Sequence, residues 1–137
     1  MSIARRRIAR PEQVLQKQVA AFLDAALVPP AFWFHCPNGG ARSKVEGAIF
    51  KAMGVKPGIP DCIVVWNADG KDIFLGPVPQ ILAIELKAKN GRETPDQRRK
   101  LAQFKAVGAS VAVCKSLDEV IAALTQAGVH MRGRIAA

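Results

Sequence analysis

The sequence has no apolar run near the roughly 18 residues that a helix needs to cross a membrane, so we expect no transmembrane segment. Its N-terminus contains arginines but no apolar stretch after them, and we therefore expect no secretory signal there. The three cysteines, Cys36, Cys62 and Cys114, are odd in number and far apart, without the spacing of a zinc site. This pattern predicts buried, reduced thiols in an intracellular, cytoplasmic protein.

Glycine-rich phosphate loops are also missing. The glycines at 39–40 fit neither G-x-G-x-x-G nor G-x-x-x-x-G-K-[ST], the two loops that bind nucleotide phosphates. No internal repeat or linker divides the chain, which at 137 residues is long enough to bury a core without disulfides. We expect a single domain over residues 11–127, between a basic arm at 1–10 and a basic tail at 128–137.

Negative charge is scarce, because 11 Asp and Glu face 20 Lys and Arg, which gives a net charge of +9. In a small domain such a surplus favours a polyanionic partner, and nucleic acid is the first candidate. A basic surface that serves only solubility is the alternative. The clusters recur along the chain, so only folding can bring them to one face. They are Arg5, Arg6, Arg7 and Arg10, then Arg42 and Lys44, then Arg98, Arg99 and Lys100, and finally Arg132 and Arg134.

Two short apolar runs occupy the middle of the chain. The first, 62–66, follows Asp61, and the second, 80–84, leads into Glu85 and Lys87. Their length and β-branched composition predict two buried strands. Alternate side chains of a strand share a face, so Glu85 and Lys87 point the same way. If the two strands pair as a hairpin, Asp61 comes close to Glu85.

Two carboxylates and one amine at the end of an apolar sheet have a specific chemical use. Mg²⁺ is typically bound by one or two carboxylates together with waters. A bound metal lowers the pKa of a water and stabilises charge on a phosphate. A lysine beside it can contact that phosphate or accept a proton. The alternative is a salt-bridged strand pair in an ordinary α/β domain, because an isolated Glu-x-Lys is common.

Helices and strands are predicted on both sides of this centre. Glu12 in the first turn of the first helix suits the helix dipole, and the alternative is that it reaches a metal. His35 lies among aromatic residues and is expected to be a packed residue of the core or its rim. Thr94 and Pro95 predict a helix start, which is also a natural anion site. The predicted helices run from Pro11 to before Pro29, over 42–53, over 95–107 and over 117–127, and further strands cover 32–36 and 110–114.

Pro60-Asp61 followed by Glu85-Leu86-Lys87 resembles the PD-(D/E)xK nuclease signature. The wider sequence is similar to the VRR-NUC family, the virus-type replication-repair nuclease branch of that fold, over roughly 11–124. Family members often carry Ser where this chain has Thr94, which caps a helix equally well. The matching pieces, in family order, are Glu12 with Gln16, the turn 37–40 with Arg42, residues 53–55 leading to 58–61, the motif 85–87, and residues 91–97.

The resemblance implies an α/β, restriction-endonuclease-like core, in which helices flank a mixed central sheet. It also implies a metal site for Mg²⁺ or Mn²⁺ and a role for each matched residue. Asp61, Glu85, the Leu86 carbonyl and Glu12 would bind the metal, and Lys87 would hold or activate the attacking water. Gln97 and Gln16 would shape the site, and Asn38, Arg42, Lys44, Arg98 and Arg99 would contact phosphates.

The expected activity is that of a metal-dependent endodeoxyribonuclease, which hydrolyses phosphodiester bonds. By resemblance we expect selectivity for branched DNA such as four-way junctions or flaps, a homodimer with one site per strand, and a DNA-repair role in a phage or bacterial context. One alternative is a non-catalytic, basic DNA-binding module with a nuclease-like fold. Another is a basic structural or assembly protein whose charge serves solubility or packing.

Overall fold

Helices and strands lie where the sequence predicts them, with ends that differ by at most two residues. The computed structural model describes residues 10–37, 43–68 and 76–133. In chain order the elements are α1 (Pro11–Ala26), β1 (Phe32–His35), α2 (Lys44–Ala52), β2 (Cys62–Asn67), β3 (Pro79–Leu86), α3 (Pro95–Ala106), β4 (Ser110–Cys114) and α4 (Leu117–Ala127).

Within the described residues, four strands form one sheet in the order β1-β2-β3-β4. Strand β2 runs antiparallel to both β1 and β3, whereas β4 runs parallel to β3. A parallel pair needs a crossover connection, and helix α3 provides it between β3 and β4. The expected α/β fold with a mixed central sheet is therefore confirmed, and so is the central hairpin.

The hydrophobic core lies between one face of the sheet and helices α1 and α4, which also contact each other. Alternation along the strands sends every second side chain to this face. The buried residues that these elements contribute to the core are Leu15, Val19 and Leu23 of α1, Cys62, Val64 and Trp66 of β2, Leu82, Ile84 and Leu86 of β3, Cys114 of β4, and Val120 and Leu124 of α4. The opposite face carries Ile63 and Ala83, which are also buried, together with Glu85 at the end of β3 and Lys87 just after it.

Helix α2 forms as predicted but does not bury its apolar side. The Ser43 hydroxyl caps its N-terminus by accepting from the Glu46 N–H at 3.1 Å. None of the residues of α2, all of which are described, is buried. Val45, Ile49 and Met53 are 70%, 53% and 75% exposed, respectively. The apolar pattern thus predicts the helix correctly, but the apolar side of the helix is not buried against the rest of this domain.

The chain continues to pack beyond α4, although we placed the domain boundary at the end of that helix. Val129 is buried in the core, and Leu27 pairs with Met131 in an isolated bridge. The Arg132 N–H donates to the Ala26 carbonyl at 2.7 Å. Residues 1–9 of the expected arm and 134–137 of the expected tail lie outside the described residues. In the described ranges, no helix is both long and apolar enough to span a membrane.

The cysteines are free thiols, as expected from their number and spacing. Cys62 and Cys114 are buried, and burial raises the pKa of both thiols to about 11. Cys36 is only half-buried, which corrects the expectation that all three are buried. Its exposure follows from its place just after β1, which is an edge strand of the sheet.

Candidate active site

The register of the central hairpin brings the two predicted acids together. Cys62 pairs with Ile84, so Asp61 and Glu85 come next at the same end of β2 and β3. The Leu86 N–H donates to Asp61 Oδ2 at 2.7 Å, which ties the Asp61 side chain to the neighbouring strand. The expectation that pairing brings Asp61 close to Glu85 is therefore confirmed.

Glu85 is a buried acid, with 3% of its surface exposed. Its Oε1 atom accepts from Gln97 Nε2 at 3.0 Å and lies 3.8 Å from Lys87 Nζ. Its Oε2 atom is buried and has no hydrogen-bond partner among the described residues. Burial, followed by the nearby Asp61 carboxyl, raises the pKa of Glu85 to about 8. Two acids this close need a proton or a cation between them.

Lys87 extends the ladder of β3 by one residue and faces the same acid. Its N–H donates to the Cys114 carbonyl at 2.9 Å, which fixes the main chain beside β4. The residue is 7% exposed, so its ammonium group is held in a largely dry setting beside Glu85. An ammonium group in such a setting stabilises negative charge more strongly than it would in water.

The two residues predicted on α1 contact different parts of the site. Glu12 is exposed, and its Oε1 atom accepts from the Ala88 N–H at 3.4 Å, so it lies near the end of β3. Its charge contributes to the raised pKa of Glu85. Gln16, one turn later, donates from Nε2 to Cys62 Sγ at 3.4 Å and so supports the residue after Asp61.

The start of α3 holds Gln97 in place. Its side-chain Oε1 accepts from the Thr94 N–H at 2.8 Å, and the Thr94 hydroxyl accepts from the Gln97 N–H at 3.2 Å. This reciprocal capping box fixes the Gln97 amide, whose Nε2 then donates to Glu85. The sequence predicted the cap at Thr94, but only the structure shows that one amide serves both the cap and the acid.

Gly58 allows the loop before Asp61 to press against this helix start. Its φ is +76°, and a Cβ at this position would lie 2.4 Å from the main-chain carbon and oxygen of Asp96. Any side chain would therefore force the loop and α3 apart. Sequence reasoning did not assign this role, because the close approach joins segments almost 40 residues apart.

Of the five residues predicted to contact phosphates, three lie in the described part of the chain. Arg98 and Arg99 are exposed in the first turns of α3, directly after Gln97, and Arg99 is paired with Asp96. Lys44 is the exposed first residue of α2. Asn38 and Arg42 lie outside the described residues.

The sequence predicted His35 to be a packed residue of the core or its rim rather than a ligand. The residue is exposed, and its ring Nδ1 lies 2.7 Å from the Asp61 carbonyl oxygen. The pairing of β1 with β2 sets His35 opposite Cys62, one residue from Asp61. A correct strand pairing could have located this contact, but residue type and hydrophobic pattern could not.

The residues at this end of the sheet fit a hard divalent cation. The donors available are carboxylate oxygens and a carbonyl, which Mg²⁺ and Mn²⁺ prefer. Glu85 Oε2, beside Asp61, is an acceptor without a donor among the described residues. Among those residues, no group of three or more His, Cys, Asp or Glu side chains is arranged to hold a metal ion, so Asp61 and Glu85 stand as a pair of neighbouring acids.

Comparison with known proteins agrees with this fold. The model of the VRR-NUC domain family matches residues 9–118. A solved structure titled "VRR_NUC domain protein" is 27% identical, with a TM-score of 0.65 over 88% of this chain and 90% of that chain. A second, titled "VRR_NUC domain", is 24% identical, with a TM-score of 0.51 over 86% of this chain and 97% of that chain, and shows similarity of fold alone. Among curated proteins, none has a sequence that matches this chain significantly.

Proposed function

Because the chain belongs to the VRR-NUC domain family, a family of nucleases, we propose that it is a divalent-metal-dependent endodeoxyribonuclease. The observation that carries this proposal is the buried Glu85 carboxyl beside Asp61, with one oxygen left without a partner among the described residues. A buried acid in that state costs stability unless it binds something. A bound ligand would offset this cost, and a divalent cation is the ligand that carboxylate and carbonyl oxygens suit.

Asp61, Glu85 and the Leu86 carbonyl would hold Mg²⁺ or Mn²⁺, and Glu12 would join them from α1. When bound, the cation would supply positive charge beside the scissile phosphate and lower the pKa of a water. Glu85 is oriented for this task by Gln97, and Asp61 by the Leu86 N–H. Gln16 supports the start of β2 through its contact with Cys62.

Lys87 would act on the reacting groups directly. Its buried ammonium can donate hydrogen bonds to the attacking water and to a phosphate oxygen, holding them in line with the leaving oxygen. Because the charge on the phosphate grows in the transition state, a fixed cation in a dry site stabilises that state most. Outside the centre, Lys44, Arg98 and Arg99, together with Asn38 and Arg42, would contact neighbouring phosphates.

We propose branched DNA, such as four-way junctions or flaps, as the substrate, and a homodimer as the acting form. A two-fold dimer presents one site to each of two strands of a symmetric junction. The exposed apolar side of α2 supports this, because monomers rarely leave large contiguous apolar patches uncovered. The free thiols fit a reducing cytoplasm, where a bacterial or phage repair enzyme would meet such DNA.

Cleavage of a labelled DNA panel tests the activity. Single strand, duplex, flap, splayed arm and four-way junction would each be incubated with Mg²⁺, Mn²⁺ or EDTA. We expect metal-dependent cuts with a preference for branched forms, and a loss of about a hundredfold or more in Asp61→Asn and in Lys87→Ala. Both variants should still give the wild-type far-ultraviolet circular dichroism spectrum.

Asp118→Asn is the matched control, because Asp118 is an exposed acid in the first turn of α4. It should cut as well as the wild type. Full activity in Asp61→Asn would refute the site. Tight DNA binding without cutting under any metal would favour the non-catalytic binding module instead.

A further inference from the structure

His35 is the last residue of β1, and its ring reaches across to the main chain of the neighbouring strand. Its Nδ1 atom lies 2.7 Å from the Asp61 carbonyl oxygen. The Cys36 N–H donates to the same oxygen at 2.9 Å. On the other side, the Asp61 carboxylate accepts from the Leu86 N–H at 2.7 Å. Asp61 is therefore held from β1 through its main chain and from β3 through its side chain.

The position of Asp61 in the chain makes these bonds important. The residue lies just before β2 begins at Cys62, and it follows Pro60, which has no N–H to donate. Its main chain is held by bonds from the segment 35–36, where the register of β1 with β2 continues one residue past the last strand pair and sets Cys36 opposite Asp61. Mg²⁺ demands near-ideal octahedral geometry, so small errors in the placement of a carboxylate weaken its binding.

The contact also requires a particular tautomer of the His35 imidazole ring. A carbonyl oxygen can only accept a hydrogen bond, so Nδ1 must carry a proton to make one. In the neutral ring, which has a single N–H, that proton is then absent from Nε2. A histidine that merely fills space at the rim of the sheet has no such requirement.

We propose that His35 is a positioning residue for the cation site. By donating from Nδ1 to the Asp61 carbonyl, it fixes the main chain beneath a metal-binding carboxylate without touching the metal itself. The inference rests on the proposed function, since it takes Asp61 to be a ligand of a divalent cation. It goes beyond that function by giving a role to the exposed end of the edge strand.

The first test measures binding of Mn²⁺ to the metal-free protein by titration calorimetry, without DNA. Loss of an outer hydrogen bond to a ligand typically weakens metal binding, and we expect His35→Leu to weaken it on the order of tenfold. His35→Asn should stay within about twofold of the wild type, because its amide Nδ2 can donate from nearly the position of Nδ1. Gln126→Leu, an exposed polar position near the end of α4, is the matched control and should bind as the wild type.

Cleavage rates give a second readout of the same variants. A positioning role predicts that His35→Leu needs more metal for half-maximal cleavage, while kcat at saturating metal changes little. Wild-type binding by His35→Leu would overturn the proposal. Equal weakening in His35→Leu and His35→Asn would overturn it as well, because the ring and not the donated bond would then matter.

The tautomer is tested without any metal, by ¹⁵N-edited nuclear magnetic resonance at about pH 9, where imidazole is neutral. The chain has only two histidines, so the signals that vanish in His35→Asn belong to His35. We expect its proton on Nδ1, and a proton on Nε2 would overturn the proposal. If the wild type bound no metal but His35 showed the Nδ1–H tautomer, the proposed function would fail while the contact to Asp61 stood.

Discussion

At the scale of single residues, the proposed chemistry of this protein rests on one acid that is buried at a cost in free energy. Glu85 is buried on the sheet face opposite the core, beside Asp61 and with a lysine 3.8 Å away. Its neighbours Ile84 and Leu86 are ordinary core residues. Alternation along β3 thus sends Ile84 and Leu86 to the core and Glu85 to the other face. Burial of these apolar neighbours stabilises the fold and so offsets the unfavourable free energy of burying Glu85.

The raised pKa of Glu85 predicts how the stability of the metal-free protein depends on pH. Its ordinary value is 4.5, and burial together with Asp61 raises the pKa to about 8 in the fold. Between these values the folded state keeps a proton that the unfolded chain has lost. The free energy of unfolding should therefore fall as pH rises from about 4.5 to about 8, and level off above that.

Urea unfolding in EDTA at a series of pH values measures this slope. Glu85→Gln, which stays neutral, should remove this contribution and be more stable than the wild type near pH 8. Glu46→Gln changes an exposed acid on α2 and should keep the wild-type slope. An unchanged slope in Glu85→Gln would show that the acid is not protonated in the fold.

At the scale of elements, the start of α3 assembles the site. Its capping box orients the Gln97 amide toward Glu85, and Gly58 lets the loop before β2 approach the same turn. The helix also makes the crossover that brings β4 alongside β3. One short segment therefore connects sheet topology with the orientation of Glu85.

Substitution of Gly58 should disturb this assembly more than substitution of Gly54. Both glycines have a positive φ, +76° and +100°, so Gly58→Ala and Gly54→Ala share the strain of placing a side chain there. A Cβ at Gly58 would also collide with the main chain of Asp96, whereas one at Gly54 would meet no described atom within 4 Å. We expect Gly58→Ala to be less stable than Gly54→Ala by about 1–3 kcal/mol.

Urea unfolding of the two alanine variants gives the difference in stability, and cleavage assays give its consequence. Gly58→Ala should also cut DNA more slowly, because displacement of α3 moves Gln97 away from Glu85. Equal stability of the pair would mean that the loop can shift without cost to the helix.

At the scale of the whole molecule, two surface properties stand out. The net charge of +9 fits a nucleic-acid partner, as the family also implies. Apolar side chains are exposed on α2 and also on the edge strand, where Phe32 and Phe34 are 55% and 45% exposed. The charge suits DNA, whereas the apolar side of α2 suits a second copy of the chain.

If the protein is the proposed homodimer, light scattering after size-exclusion chromatography should give a mass of twice 14.7 kDa. Ile49→Glu places a charge on the apolar side of α2 and should shift the protein to the monomer, because an unpaired charge resists burial. Val107→Glu, at an exposed apolar position after α3, is the matched control and should leave the dimer intact. A wild type that stays monomeric at working concentration would refute the dimer.

Local signals in the sequence determined most of the elements of this molecule. Thr94 with Pro95 marks the start of α3, and β-branched runs mark the strands. These signals act within a few residues, so they are readable without the fold. The motif around Asp61, Glu85 and Lys87 could be recognised for the same reason, since its residue types and their order suffice.

Only the tertiary structure decided the burial and the contacts of those residues. The burial of Glu85, the contact of His35 with the Asp61 carbonyl and the closeness of Gly58 to α3 each join distant segments. The exposure of the apolar side of α2 could not be predicted from the sequence either, because an amphipathic pattern predicts a helix but not what covers it. The sequence thus specified the chemical groups, whereas their pKa values and orientations arose from strand register and packing.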